Sequence, residues 1–267
     1  MKKIYSLLII LSAVFYLNNQ AFSQPKITLD LTGGYGLPTG DFKVDVPNDP
    51  TTRLDADDFP YYTKQLWNFG ADGKLAVDKK GNFRVVLGFT YNMFSNNVDG
   101  TFRVDTLGTL GQVNFKPKVN VFSINLGGEY DFLPKGKVNP FIGAGIVGNF
   151  FSGDFNFGQQ VYTKGALRTQ LEMKSETRIG FVFDGGANFV INKSVGILAG
   201  IKYNLINPLG KGADDEEEIA ADEVDLGDKE HVRDDGTNSP SKSINSFYGY
   251  LGVSFYFGAP KTTTMRK

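Results

Sequence analysis

Eight stretches of this chain alternate apolar and polar residues with a period of two, and each is about 10–14 residues long. They cover 27–36, 67–77, 83–94, 119–132, 141–151, 178–191, 195–206 and 246–257. Period two is the signature of an extended strand with one apolar face. Val85, Leu87, Phe89, Tyr91 and Met93 set against Arg84, Gly88, Thr90 and Asn92 show it plainly. So do Ile179, Phe181, Phe183, Ala187 and Phe189 set against Arg178, Asp184 and Asn188. Strands of soluble proteins cluster near 5–6 residues, whereas a tilted strand crossing a bilayer needs about 9–11. Length therefore points to membrane strands.

The connections alternate as well. Three are tight: 78–82, 133–139 and 192–194, rich in Asp, Asn, Gly, Pro and Lys, which is turn chemistry. Four are long: 37–66, 95–118, 152–177 and 207–245. Outer-membrane barrels pair short periplasmic turns with long external loops. The expected fold is all-β: an eight-stranded antiparallel up-and-down transmembrane barrel with four long external loops. A soluble lipocalin-like barrel, with its apolar face turned inward, is the alternative. The second face argues against it, because it carries Asp30, Asp72, Lys74, Arg84, Glu129, Asp131, Asp184 and Lys202. An eight-stranded interior holds little beyond side chains, so these charges must pair with each other inside it.

Residues 1–23 read as a cleaved signal peptide. Lys2 and Lys3 precede the apolar stretch from Ile4 to Leu17, and Ala21-Phe22-Ser23 places small residues before Gln24. The apolar run is short for a spanning helix. Residues 24–257 would then form the barrel and 258–267 a short tail. With 23 Phe, 12 Tyr and 32 Gly the composition suits curved β structure. The absence of cysteine excludes thiolate metal sites, a Cys nucleophile and a disulfide framework.

Charge is uneven although the formal net charge is −1. Residues 214–235 hold 12 acids against Lys229 and Arg233. Carboxylates suit hard cations, but the spacing fits no EF-hand, so the stretch reads as a solvated external loop. No basic cluster points to nucleic acid. The single histidine, His231, lies inside the acidic stretch, without a partnered nucleophile to activate. No catalytic, cofactor-binding or metal-ligating residue is assigned. Trp67 reads as an interfacial rim anchor. The glycines at 143, 145, 148, 185 and 186 read as easing curvature or making room for bulky interior neighbours. Charged replacements of Phe181, Phe183 and Phe189 are expected to cost about 2–4 kcal/mol each where they meet mid-membrane lipid.

The leader ending Ala21-Phe22-Ser23-Gln24 is followed by Gly33-Gly34-Tyr35-Gly36-Leu37-Pro38-Thr39-Gly40-Asp41-Phe42. With Gly127-Gly128-Glu129-Tyr130 and the closing stretch from Gly249 to Phe257, this chain resembles the small eight-stranded outer-membrane barrels related to the OmpA transmembrane domain and OmpX, often labelled porin-family. The resemblance spans nearly the whole mature chain. It implies residence in the outer membrane of a double-membraned bacterium, in contact with lipid and lipopolysaccharide. It also implies insertion by the barrel assembly machinery, which reads an aromatic-ended last strand such as the one closing on Tyr256 and Phe257. Here ten residues follow Phe257. The implied role is non-enzymatic: structural, adhesive or surface-binding through the external loops, by a monomer. A small-solute or hydrophobic-ligand channel and a soluble ligand-binding barrel are the alternatives.

Overall fold

The computed structural model describes residues 26–43, 61–163, 165–211, 220, 222–232 and 238–258. The leader at 1–23 and most of the tail lie outside these. Twelve strands run in chain order: β1 (Ile27–Gly40), β2 (Gln65–Ala76), β3 (Phe83–Ser95), β4 (Val98–Arg103), β5 (Leu110–Asp131), β6 (Val138–Thr163), β7 (Ala166–Val190), β8 (Val195–Leu209), β9 (Glu223–Val224), β10 (His231–Val232), β11 (Asn238–Ser239) and β12 (Ile244–Phe257). Eight of them, β1, β2, β3, β5, β6, β7, β8 and β12, pair with their neighbours antiparallel, and β1 against β12 closes the ring.

Register fixes the barrel's dimensions. A path perpendicular to the strands leaves Ile27 and passes Leu75, Val85, Gly128, Ala144, Phe183, Tyr203 and Phe247. It returns to β1 at Leu37, ten residues beyond its start. With eight strands, a stagger of ten tilts them about 40° from the axis and leaves an interior only wide enough for side chains.

Side-chain direction inside this ring is that of a membrane protein. Leu31 (47% exposed), Ile146 (59%) and Leu251 (67%) point outward, while Asp30 (0%) and Lys74 (4%) on neighbouring positions are buried inside. This overturns the soluble-barrel alternative, which needs the opposite orientation. The outward apolar band is bounded by aromatic rows, as expected at the two bilayer interfaces. Phe83 packs edge-on against Tyr130 at 4.9 Å, and Tyr130 against Phe132 at 5.1 Å, beside the short turns. At the other end, Trp67 meets Tyr35 at 5.0 Å on the outer wall, the place read from sequence for a rim anchor.

The tight turns are built as their composition implies. Asp78 accepts hydrogen bonds from the backbone N–H of Lys80 and Phe83, and Gly81 takes a φ of 75°. Asn192 accepts from the N–H of Ser194 and Val195. Such Asx turns spare the chain a longer loop.

At the opposite end the structure departs from the sequence reading. The connections 95–118 and 152–177 are not simple loops. β5 runs for 22 residues, β6 for 26 and β7 for 25, about twice the span a bilayer requires. Their outer portions, joined by β4 and β9, rise above the apolar band as a crown. There the parity of apolar residues inverts. Val113, Phe115, Val119 and Val121 of β5 face inward, and from Phe122 onward Phe122, Ile124 and Leu126 face lipid. Inverted parity is what water outside demands, since the crown must bury its apolar face as a soluble protein does.

Candidate functional site

Two regions carry concentrated chemistry: the lumen and the crown. In the lumen, alternation along β1, β2, β3, β5, β7 and β8 brings every charged residue of the polar face inward. Lys74 pairs with Asp30 at 2.9 Å and with Glu129 at 2.5 Å. Arg84 pairs with Asp131 and donates to Thr28 at 2.7 Å. Lys202 pairs with Asp72 at 3.0 Å, bridging strands that are 130 residues apart in sequence. The Lys202–Asp72 pair reaches across the lumen from β8 to β2, three strands away around the ring.

Above them sits a ladder of uncharged polar groups. Asn68 donates to Asn92 at 2.7 Å, Asn92 reaches Ser123, Ser123 donates to Asn149 at 2.6 Å, and Asn149 donates to the Ile206 carbonyl at 2.7 Å. Tyr248 and Tyr250 fill the space beside Lys202, whose ammonium lies 5.4 Å from the Tyr250 ring. The glycines opposite make room for these groups. A Cβ at Gly36 would run into the Phe247 carbonyl and Tyr248, and one at Gly200 would meet the Tyr250 hydroxyl at 2.5 Å. Likewise Gly143 lies under the Asp184 carboxylate and Gly186 under the Phe141 ring, the role expected of the glycine runs. Two voids between these side chains measure about 10 and 20 Å³, room for roughly one water molecule each.

The crown has its own core. Phe102, Phe115 and Phe157 pack with ring centroids 5.4–5.5 Å apart. Phe155, Leu171 and Met173 extend this core, and Phe42, Tyr61 and Phe94 close it towards the barrel mouth. Burial pushes the Tyr62 hydroxyl up to about 12, so it stays neutral there.

The described part of the acidic stretch, residues 222–232, departs from its reading as a solvated loop. Glu223–Val224 pairs in parallel with Glu172 and Met173 of β7, and Val224 and Leu226 enter the core. Asp228 is fully buried at the mouth. It accepts from Arg178 at 2.7 and 3.0 Å and from Asn207 at 2.7 Å. Asn207 in turn donates to the Lys242 carbonyl and accepts from the N–H of Ile244. Residues 214–218 lie outside the described residues, as does the side chain of His231, whose backbone pairs with Ser239. Composition concealed Asp228 because one buried acid is indistinguishable among twelve. The crown core had a legible signal in the inverted parity.

A second feature of the crown is the β4–β5 hairpin. Asp105 organises its tip, accepting from the N–H of Leu107 and Thr109 at 2.9 Å and from the Thr109 hydroxyl. Those hydrogen bonds, Thr109's hydroxyl first, hold the Asp105 carboxyl below its ordinary range. Leu107 at the tip is 91% exposed. Beside it, Arg103 lies across from Leu110 and stacks 4.3 Å over the Tyr162 ring, and Tyr162 faces Leu167 across the β6–β7 pair. The result is an ordered outer row of Arg, Leu, Tyr and Leu.

Comparison with known proteins adds a family. No curated protein sequence matches the chain. Among solved structures it is similar to Neisserial surface protein A, at 14% identity and a TM-score of 0.46, covering 87% of this chain and 97% of that one. It is also similar to Ail, the attachment invasion locus protein of Yersinia pestis, at 10% identity and a TM-score of 0.41, covering 88% and 99%. OprG from Pseudomonas aeruginosa gives 13%, 0.41, 88% and 98%. A family model described as Opacity family porin protein matches residues 78–227, more than half of the 267-residue chain. This protein belongs to the Opacity porin family and is an outer-membrane β-barrel.

Proposed function

We propose that the protein is a non-enzymatic surface-binding barrel, in which the membrane ring is an anchor and the crown is the working part. The observation that carries this reading is the continuation of β5, β6 and β7 past the apolar band into a crown with a packed core. An ordered platform loses less conformational freedom on binding than mobile loops would. The exposed Leu107, Leu110 and Leu167, beside Arg103 and Tyr162, are residue types that supply contact area at an interface.

A channel is the weaker reading. The Lys202–Asp72 ion pair crosses the lumen, and the two voids beside it have room for about one water each. Within the proposal, residues 1–23 are removed on export, the barrel assembly machinery inserts residues 24–257 as a monomer, and 258–267 remain as a tail. The outer wall contacts lipid and lipopolysaccharide.

The test is a crown-trimmed barrel, with 98–115 and 155–171 each replaced by a four-residue turn. Cells displaying the intact protein should be retained on protein and glycan arrays by a partner that the trimmed protein no longer holds. Both proteins should leave liposomes impermeable to small sugars. Equal retention by the trimmed barrel, or sugar flux through the intact one, defeats the reading.

A further inference from the structure

The lumen is not electrically balanced. Among the described residues of the membrane-spanning ring, Asp30, Asp72, Glu129, Asp131 and Asp184 point inward against Lys74, Arg84 and Lys202. Lys74 is shared between two carboxylates, and Asp184 forms no ion pair among the described residues. Buried charge without compensation is costly in a dry interior.

The surplus converges on one place. A void of about 20 Å³ is lined by Asp72, Asp184, Asn125 and Lys202, with Val86, Ala144, Val182 and three glycines completing the wall. Asp72 Oδ1 and Asn125 Oδ1 are both buried without a hydrogen-bond partner among the described residues. Asp72 and Asn125 are 4% and 8% exposed. Both crowd over the bare Cα of Gly88, where an added Cβ would run into Asp72 Oδ1 and meet the Asn125 oxygen at 2.6 Å. Asp184 lies directly across from Lys202 in the β7–β8 register. Orphaned oxygen acceptors, a carboxylate without a direct ion pair and a void sized for one small particle thus coincide.

We propose that this void is a binding site for a desolvated, sodium-sized monovalent cation, held by Asp72 Oδ1, Asn125 Oδ1 and the Asp184 carboxylate. Oxygen donors select hard cations. A divalent ion fits less well. Ca²⁺ takes about 6–8 oxygen ligands and Mg²⁺ retains several waters, neither of which about 20 Å³ can supply. The Lys202 ammonium in the wall also favours the smaller charge. The cation would make the lumen's centre a structural ion site that fills the void and offsets half of the surplus of five carboxylates over three bases.

The test uses the folded full-length barrel in detergent, heated at constant ionic strength in sodium or choline chloride, with the heat-dependent gel shift as readout. Sodium should raise the midpoint in a saturable way that choline does not reproduce, because a ligand that binds only the folded state stabilises it by mass action. Asn125→Leu, which fills the void with the charges left in place, should abolish the difference between the two salts. Identical midpoints in sodium and choline for the unsubstituted protein overturn the proposal and leave the void holding water. So does stabilisation by millimolar Ca²⁺ or Mg²⁺ but not by sodium.

Discussion

Arg178 of β7 and Asp228 of the acidic stretch clasp one another at the barrel mouth through hydrogen bonds of 2.7 and 3.0 Å. Both side chains are almost wholly buried. The clasp fixes the last long connection against the crown and gives one of the twelve acids a structural duty. Asp228→Ala would leave a buried guanidinium without its main partner, a change that typically costs about 3–5 kcal/mol. We expect the crown to become protease-sensitive while the membrane ring keeps its heat-dependent gel shift. Neutralising the exposed Asp222 or Glu230 should change urea stability by no more than about 0.5 kcal/mol.

The lipid face predicts a graded response rather than a uniform one. Ile146 lies midway along the membrane portion of β6, paired with Leu126 and Phe181. Ile146→Arg should cost about 2–4 kcal/mol in refolding titrations into lipid, and Phe189→Arg only about 0–1, because Phe189 sits beside the short turn, where an arginine reaches the interface. Equal costs at both positions would show that the band is displaced from where the aromatic rows place it.

In the lower lumen, Lys74 holds Asp30 and Glu129 at once. Lys74→Ala should destabilise the barrel by roughly 3–5 kcal/mol, since two buried carboxylates lose their cation. Adding Glu129→Ala should return part of that loss. A double-mutant cycle in urea measures the coupling, and a coupling energy near zero would contradict the pairing.

The hairpin tip carries a pH dependence. Asp105 is held below its ordinary range in the folded chain by Thr109 and the neighbouring N–H groups. A depressed carboxyl contributes order that is fully present above its unfolded value, about 3.9, and is lost as pH falls through the folded value. Protection of the Leu107 and Thr109 amides, taken relative to their intrinsic exchange rate at each pH, should therefore fall on acidification below about pH 4, and Asp105→Ala should show that lost protection at neutral pH.

Much of the barrel was legible in the chain because lipid imposes a strict rule on it. One face of every membrane strand must be apolar and the connections must alternate in length, so Phe89, Leu126 and Ile201 could be placed outward from period two taken together with strand length and the charged second face. Asp72 and Lys202 could be placed inside but not paired. The crown was partly legible, since Val113 and Phe115 keep period two in the opposite phase from Phe122 and Ile124, yet alternation without a known solvent does not say which face is buried.

The sequence by itself determined the strands, their lipid-facing sides, the tight turns and the need for the polar face to find partners. Only the tertiary structure decided which partners those are. Ring closure with a stagger of ten residues sets which inward positions share a height, so Lys202 meets Asp72 across 130 residues. Such pairings come from the geometry of a closed sheet, in which neighbours are chosen by register rather than by distance along the chain.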